Sequence, residues 1–122
     1  MPRLLWAAPQ LFTGDVGRLA AWFASDLGFQ LVFLAGDPPF YGQVERDGVR
    51  LNLRHVASPP IDPGLRLREE LLSAYLVVDD VEALHAEFSR HGVAGELAVA
   101  LAQPSYFLVT TPDGELISFA EG

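Results

Sequence analysis

Three short runs of this sequence recur once, in the same order and at nearly the same distance. Asp15-Val16-Gly17-Arg18-Leu19 returns as Asp80-Val81-Glu82-Ala83-Leu84, 65 residues on. Leu27-Gly28-Phe29 is echoed by His91-Gly92-Val93, 64 on. Asp47-Gly48-Val49-Arg50-Leu51-Asn52-Leu53 is echoed by Asp113-Gly114-Glu115-Leu116-Ile117-Ser118-Phe119, 66 on. Each match alone is weak. Collinear matches at almost one offset point to a duplicated unit, and such a unit repeats its order of elements. The modules cover about residues 1–57 and 71–122 of a single 122-residue domain. Between them, Ser58-Pro59-Pro60-Ile61-Asp62-Pro63-Gly64 has the composition of a linker. With a short helix near 65–70, the linker spans 58–70.

Within each module the signals come in one sequence. An extended segment, 3–13, leads to Asp15, whose side chain suits an N-cap. Leu19, Trp22, Phe23 and Leu27 follow at helical spacing, and Gly28 ends the helix. The second helix starts at Asp79 or Asp80, buries Val81, Leu84 and Phe88, and stops before Gly92. Three strands follow each helix, at about 29–34, 40–46 and 49–55, then 95–101, 105–111 and 115–120. The pattern is βαβββ, twice. Strands not separated by helices favour a largely antiparallel sheet with helices on one face, an α+β fold.

Asp47-Gly48 reads as the two-residue type I′ turn of a hairpin. That turn sets Glu45 opposite Arg50, Gln43 opposite Asn52 and Tyr41 opposite Arg54, all on one face. Val44, Val49, Leu51 and Leu53 take the other face, under the helix. In the second module Ile117 and Phe119 face the helix, while Leu116, Ser118 and Ala120 face away. A polar sheet face is either solvated or, if two such faces curl together, the lining of a ligand site. Trp6, Phe33, Tyr41, Tyr75 and Tyr106 can supply aromatic surface to such a site or belong to the core.

Composition narrows the function classes. The net charge is −8, and all eight basic residues are Arg. Without clustered cations the chain lacks the phosphate contacts of a nucleic-acid binder, and the acidity weighs against an anionic membrane surface. No cysteine is present, which removes disulfides, thiolate metal sites and thiol nucleophiles. No apolar stretch approaches the roughly 18 residues of a membrane span. The run Leu4 to Pro9 is too short for a secretory leader, so a cytoplasmic protein is expected. Ser73, Ser105 and Ser118 have no nucleophile context. Asp79-Asp80 is read as helix capping. His85 and His91 are placed on different faces of the second helix, and His55 at a strand end.

The chain resembles the vicinal oxygen chelate superfamily, which includes glyoxalase I, extradiol dioxygenases and bleomycin resistance proteins. The residues that carry the likeness are Ala8-Pro9 ahead of Asp15-Val16, then Trp22-Phe23 with Asp26-Leu27-Gly28-Phe29. It continues through Val78-Asp79-Asp80-Val81-Glu82-Ala83-Leu84 and Thr111-Pro112-Asp113-Gly114-Glu115-Leu116-Ile117-Ser118-Phe119. The last run is similar to the family's Asp-Pro-Asp-Gly-Asn turn and final strand, with Thr111 and Glu115 as departures. The resemblance implies two tandem βαβββ modules forming an incomplete barrel, helices on its outer face, and a homodimer. Pro9 after a short first strand resembles the strand-exchange feature of the bleomycin resistance branch. In the family's metal enzymes the ligands come from the first and last strand of each module. Those positions read Ala8, Asn52, Ser73 and Ser118. None is His, Asp or Glu, so the resemblance implies no metal and no cofactor here.

Three functions follow as expectations. The first is a metal-free small-molecule-binding protein like the bleomycin resistance branch, which sequesters a cationic glycopeptide antibiotic. The acidity agrees with such a ligand. Gln103-Pro104-Ser105-Tyr106-Phe107 resembles that branch's Gln-Pro-Trp-Gly segment without its Trp-Gly, and Arg50 and Arg54 suit a carboxylate better. The second is an enzyme of lyase, isomerase or dioxygenase type acting on a small carboxylate-bearing metabolite, with Tyr41, Arg54 and His55 as its polar groups. The third is a non-catalytic dimerisation or regulatory module. The expected ligand contacts are Trp6, Tyr41, Gln43, Asn52, Arg54, His55, Tyr75, Tyr106 and Ser118, and no catalytic residue is assigned.

Overall fold

The computed structural model describes residues 1–58, 62–100 and 103–122. It divides into two compact units, Met1–Ala57 and Ser58–Gly122. Each carries a four-stranded open sheet, and three helices accompany the two sheets. The fold is α+β with two βαβββ-like modules.

In the first unit, β1 (Gln10–Thr13) is followed by α1 (Val16–Leu27), β2 (Gln30–Gly36), β3 (Pro39–Arg46) and β4 (Val49–His55). Asp15 caps α1 by accepting from the Arg18 amide at 3.0 Å. Gly28 closes it in the left-handed region at φ 72°, with its amide on the Phe23 carbonyl. Val16, Leu19, Ala20, Phe23 and Leu27 bury one stripe of that helix. Trp22 is half-buried, edge-on to Phe23 at 5.0 Å. Beneath lie Leu11, Val44, Leu51 and Leu53, all fully buried. Arg46 donates to the Leu27 carbonyl at 2.7 Å, placing a cation at the helix's negative end.

The sheet order is β1-β4-β3-β2, with β1 parallel to β4 and the other pairs antiparallel. Asp47 and Gly48 both have positive φ, 52° and 83°, as a type I′ turn requires. The expected register follows: Tyr41, Gln43 and Glu45 stand opposite Arg54, Asn52 and Arg50. Two expectations need correction. Only Gln10–Thr13 of the segment 3–13 is strand. Pro9 has no N–H to give, so the ladder begins at its carbonyl, which accepts from the Asn52 amide at 2.9 Å. Val49 is exposed rather than under the helix; it closes the last pair of the hairpin and has ladder neighbours on one side alone.

The second unit runs α2 (Pro63–Glu69), β5 (Ala74–Val78), α3 (Val81–Ser89), β6 (Ala98–Ala100), β7 (Gln103–Thr110) and β8 (Leu116–Glu121). Its sheet order, β5-β8-β7-β6, repeats that of the first. Pro59 to Ile61 of the expected linker and Leu101 of an expected strand lie outside the described residues. Asp80 caps α3 through the Ala83 amide at 3.0 Å, and a Glu121 carboxylate oxygen accepts from the Val81 amide at 2.9 Å. Phe88, Phe107 and Phe119 form the core, with Phe107 stacked on Phe119 at 5.4 Å and Phe88 edge-on to Phe119 at 5.2 Å. Each such ring contributes about 1.5–3 kcal/mol by burial.

Three expectations shift here as well. His91 lies beyond α3, because the chain leaves the helix after Ser89 and turns at Gly92, φ 71°. Leu84 is half-buried rather than buried. The strand expected over 95–101 is Ala98–Ala100. Ala94 makes only an isolated bridge to Val109, and the Gly95 backbone presses so close that a Cβ would lie 3.0 Å from the Leu108 carbonyl oxygen.

A short helix and a tight turn are tied together beside the second sheet. Arg66 on α2 pairs with Glu115 at 3.3 Å, both largely buried. Its guanidinium also donates to the Leu71 carbonyl and the Ser73 hydroxyl, each at 2.9 Å. Glu115 donates its amide to the Thr111 hydroxyl at 3.0 Å. The two residues at which this turn departs from the family pattern, Thr111 and Glu115, are therefore the two whose side chains lock it.

Candidate ligand-binding site

Strand alternation decides what the face of the second sheet away from α3 presents. On β8, Ile117 and Phe119 join the aromatic core, leaving Ser118 and Ala120 on the opposite face. Their cross-strand neighbours are large. Tyr75 on β5 and Leu108 on β7 flank Ser118, and Tyr106 flanks Ala120. Small residues on an inner strand between bulky ones leave a depression. The result is an open concavity of about 320 Å³, which Leu72, Gln103, Pro104 and Glu70 complete at its edge. That volume lies at the low end of small-molecule sites.

Two polar groups mark the concavity. Ser118 is 2% exposed and lines the floor, and among the described residues no hydrogen bond engages its hydroxyl. Glu70 stands at the edge. It is the C-cap of α2 and holds φ 50°, a left-handed conformation that glycine adopts more easily. The Tyr106 hydroxyl donates to both Glu70 carboxylate oxygens, at 3.0 and 3.4 Å. That hydrogen bond, then burial, then the carboxylate's charge hold the Tyr106 phenol above its ordinary 10.0. Among the described residues no ion pair engages Glu70.

The corresponding face of the first sheet is built from long polar side chains that satisfy one another. The Gln43 amide donates to the Asn52 carbonyl oxygen at 2.9 Å. Arg50 pairs with Glu45 at 3.3 Å and lies 4.5 Å over the Trp6 ring. Phe33 and Tyr41 meet at 5.9 Å. Arg54 is exposed, and among the described residues no ion pair engages it. His55 alternates with Leu51 and Leu53, so it belongs to the other face and does not converge with Tyr41 and Arg54.

Apart from His55, the expected contacts thus separate into two groups. Tyr75, Tyr106 and Ser118 come together in the concavity, while Trp6, Tyr41, Gln43, Asn52 and Arg54 share the first sheet's face. Glu70, Leu72, Gln103, Pro104, Leu108 and Ala120 were not anticipated. One signal was available for Glu70, a charged residue closing a short helix where glycine is favoured.

The four positions at which the resemblance implies metal ligands carry few free donors. Ala8 has no donor. Asn52 already accepts from Gln43, and Ser73 accepts from Arg66 and from the Leu116 amide. Ser118 alone keeps an uncommitted oxygen. Among the described residues no three His, Cys, Asp or Glu side chains gather as a metal would need. His85 is engaged structurally, with Nε2 2.7 Å from the Gly95 carbonyl and its ring edge-on to Phe107.

The family model of the Glyoxalase/Bleomycin resistance protein/Dioxygenase superfamily matches residues 3–119. The chain belongs to that superfamily. Among solved structures, it is similar to the bleomycin-binding protein from bleomycin-producing Streptomyces verticillus, complexed with copper(II)-bleomycin. The TM-score is 0.77 and the identity 26%, over 100% of this chain and 99% of that one. It is also similar to the bleomycin resistance determinant encoded on the transposon Tn5, with TM-score 0.75 and 19% identity over 98% of each chain. The fold is shared equally with lactoylglutathione lyase from Agrobacterium tumefaciens, at TM-score 0.72 and 14% identity over 100% and 96%. No curated protein sequence matches the chain. Superfamily membership therefore spans binders and lyases, and the choice between them rests on the site. Among the described residues no helix is long and apolar enough to cross a membrane.

Proposed function

We propose that this protein binds a small organic molecule without chemical turnover and without a metal, in the manner of the antibiotic-binding members of its superfamily. The observation that carries the reading is the second sheet's concavity, with small residues in its floor, tyrosines in its walls and a Ser118 hydroxyl that makes no hydrogen bond among the described residues. A hydroxyl that opens into a concavity and is not already bonded can both donate to and accept from a ligand. The metal-enzyme reading finds too few free donors at the four family positions. An enzyme using Tyr41, Arg54 and His55 has less support, because His55 lies on the other face of the sheet. The acidic net charge favours a cationic antibiotic, as bleomycin-type glycopeptides are.

The homodimer belongs to the same proposal. Leu4, Leu5 and Trp6 in the N-terminal arm and Leu31, Val32 and Phe33 on edge strand β2 are exposed, more apolar surface than a monomer favours. Light scattering then gives twice the 13.3 kDa chain mass.

A thermal-melt panel tests the function. A ligand at about 100 times its Kd adds about 2.7 kcal/mol, several degrees for a domain of this size. A shift with bleomycin-type glycopeptide, abolished by Leu72→Trp at the mouth of the concavity, is the expected result. A shift with small carboxylates alone, removed by Arg54→Ala, would replace this reading with the metabolite one.

A further inference from the structure

We infer that the concavity of the second sheet selects an arylalkylamine, a protonated amine carried on a short alkyl chain from an aromatic ring, with Glu70 as the charge-recognising residue and the Ser118 hydroxyl as the polar contact at the floor. The inference rests on the reading of that concavity as a ligand site and names the chemistry it selects.

Four observations carry it. Glu70 holds φ 50° where glycine would sit without strain, so a side chain is kept there against the backbone's preference. Its carboxylate lines the concavity and has the neutral Tyr106 hydroxyl as its hydrogen-bonding partner, so its negative charge is oriented but not neutralised. Ser118, nine-tenths buried and more, offers a hydroxyl that can donate and accept in the floor. Between edge and floor the walls are Tyr75, Leu108 and Leu72, surfaces that take the faces and edges of a ring. The row holding Ser118 and that holding Ala120 and Tyr106 are two residues apart along the strand, roughly 7 Å. A ring with an amine at one end and a hydroxyl at the other spans such a distance. Tyr106 acts through Glu70. By donating to both carboxylate oxygens it fixes the carboxylate's direction, and it is a positioning residue.

A matched probe set separates charge from shape. Tyramine carries the amine, the ring and a hydroxyl; phenethylamine lacks the hydroxyl; tyrosol is neutral; 3-(4-hydroxyphenyl)propionate is anionic. Binding to the full chain at neutral pH is measured by calorimetry, with Glu70→Gln, Glu70→Gly, Ser118→Ala and Leu72→Trp alongside. Tyramine binds at least tenfold tighter than tyrosol, and the propionate is weakest. Glu70→Gln brings tyramine and tyrosol level. Ser118→Ala weakens tyramine but not phenethylamine. Glu70→Gly leaves Tm within a few degrees of the parent, the relieved left-handed residue offsetting the lost Tyr106 bond, yet loses the amine preference, which separates recognition from folding. Equal binding of all probes, blocked by Leu72→Trp, overturns the amine inference and leaves the concavity as a site. A tenfold preference that survives Glu70→Gln also overturns it. If none of the probes binds at millimolar concentration, the amine inference falls. The ligand-site reading then stands or falls on the glycopeptide melt and its loss in Leu72→Trp.

Discussion

The two sheets share an order of strands but treat the same face in opposite ways. On the first, β4 presents Asn52 and Arg54; on the second, β8 presents Ser118 and Ala120 at the corresponding places 66 residues later. Long side chains in the first reach their neighbours and close bonds across the face, Gln43 to Asn52 and Arg50 to Glu45. Short ones in the second reach nothing, and the space they leave is the concavity. A duplicated unit can thus keep its fold twice and still shape this face differently, through side-chain length on one strand. The supports differ accordingly. The first sheet's polar pairs lie on the face itself, while the second sheet's buried ion pair, Arg66 with Glu115, lies off the concavity, among residues that do not line it.

That difference can be broken in order of size. Glu115→Ala leaves Arg66 buried without its charge partner and lowers stability by about 3–5 kcal/mol in chemical denaturation. The guanidinium already has one buried nitrogen, Nε, with no hydrogen bond, so little capacity remains to compensate. Asn52→Ala removes the acceptor of the buried Gln43 amide and costs about 1–3 kcal/mol. Ser118→Ala, at the matching place on β8, removes no bond and leaves stability within about 0.5 kcal/mol of the parent. Equal losses at the two positions would show that the concavity's hydroxyl is committed after all.

Glu70→Gly relieves φ 50° but gives up the Tyr106 hydrogen bond, so the two offset and stability stays within about 0.5–1 kcal/mol of the parent. The smallest effect is spectroscopic. The Tyr106 phenol is held up by Glu70, so Glu70→Gln moves its titration midpoint downward in an alkaline NMR titration. The folded pKa is raised, so this bond stabilises the fold below the unfolded phenol's pKa. That contribution is lost as pH rises through the folded value.

Much of the architecture was legible because it is written in local signals. Asp15 and Asp80 cap their helices, Gly28 ends one, and Asp47-Gly48 sets a hairpin whose register places each polar pair correctly. Alternation along β8 then put Ser118 and Ala120 on the face away from the core. What stayed hidden depends on backbone detail. Strand alternation puts His55 with Leu51 and Leu53, a parity available in the sequence but outweighed by the appeal of a histidine at a strand end. Ser73 was read as a family ligand position without a ligating side chain; its hydroxyl has a structural task instead, because Arg66, seven residues earlier, folds back onto it through the turn at the end of α2. Glu70 was hard to read because its role depends on a left-handed residue at the end of a seven-residue helix, which only its charge at a helix-closing position hints at and no periodicity reports.

The most direct test of the account is an amide chemical-shift map of the isotopically labelled chain, titrated with bleomycin-type glycopeptide and, separately, tyramine. The largest saturable shifts are expected on Glu70, Tyr75, Gln103, Tyr106 and Ser118, with Tyr41, Gln43 and Asn52 little moved. Shifts confined to Tyr41, Asn52 and Arg54 would contradict it, and would make the polar face of the first sheet, not the hollow of the second, the place where this protein meets its ligand.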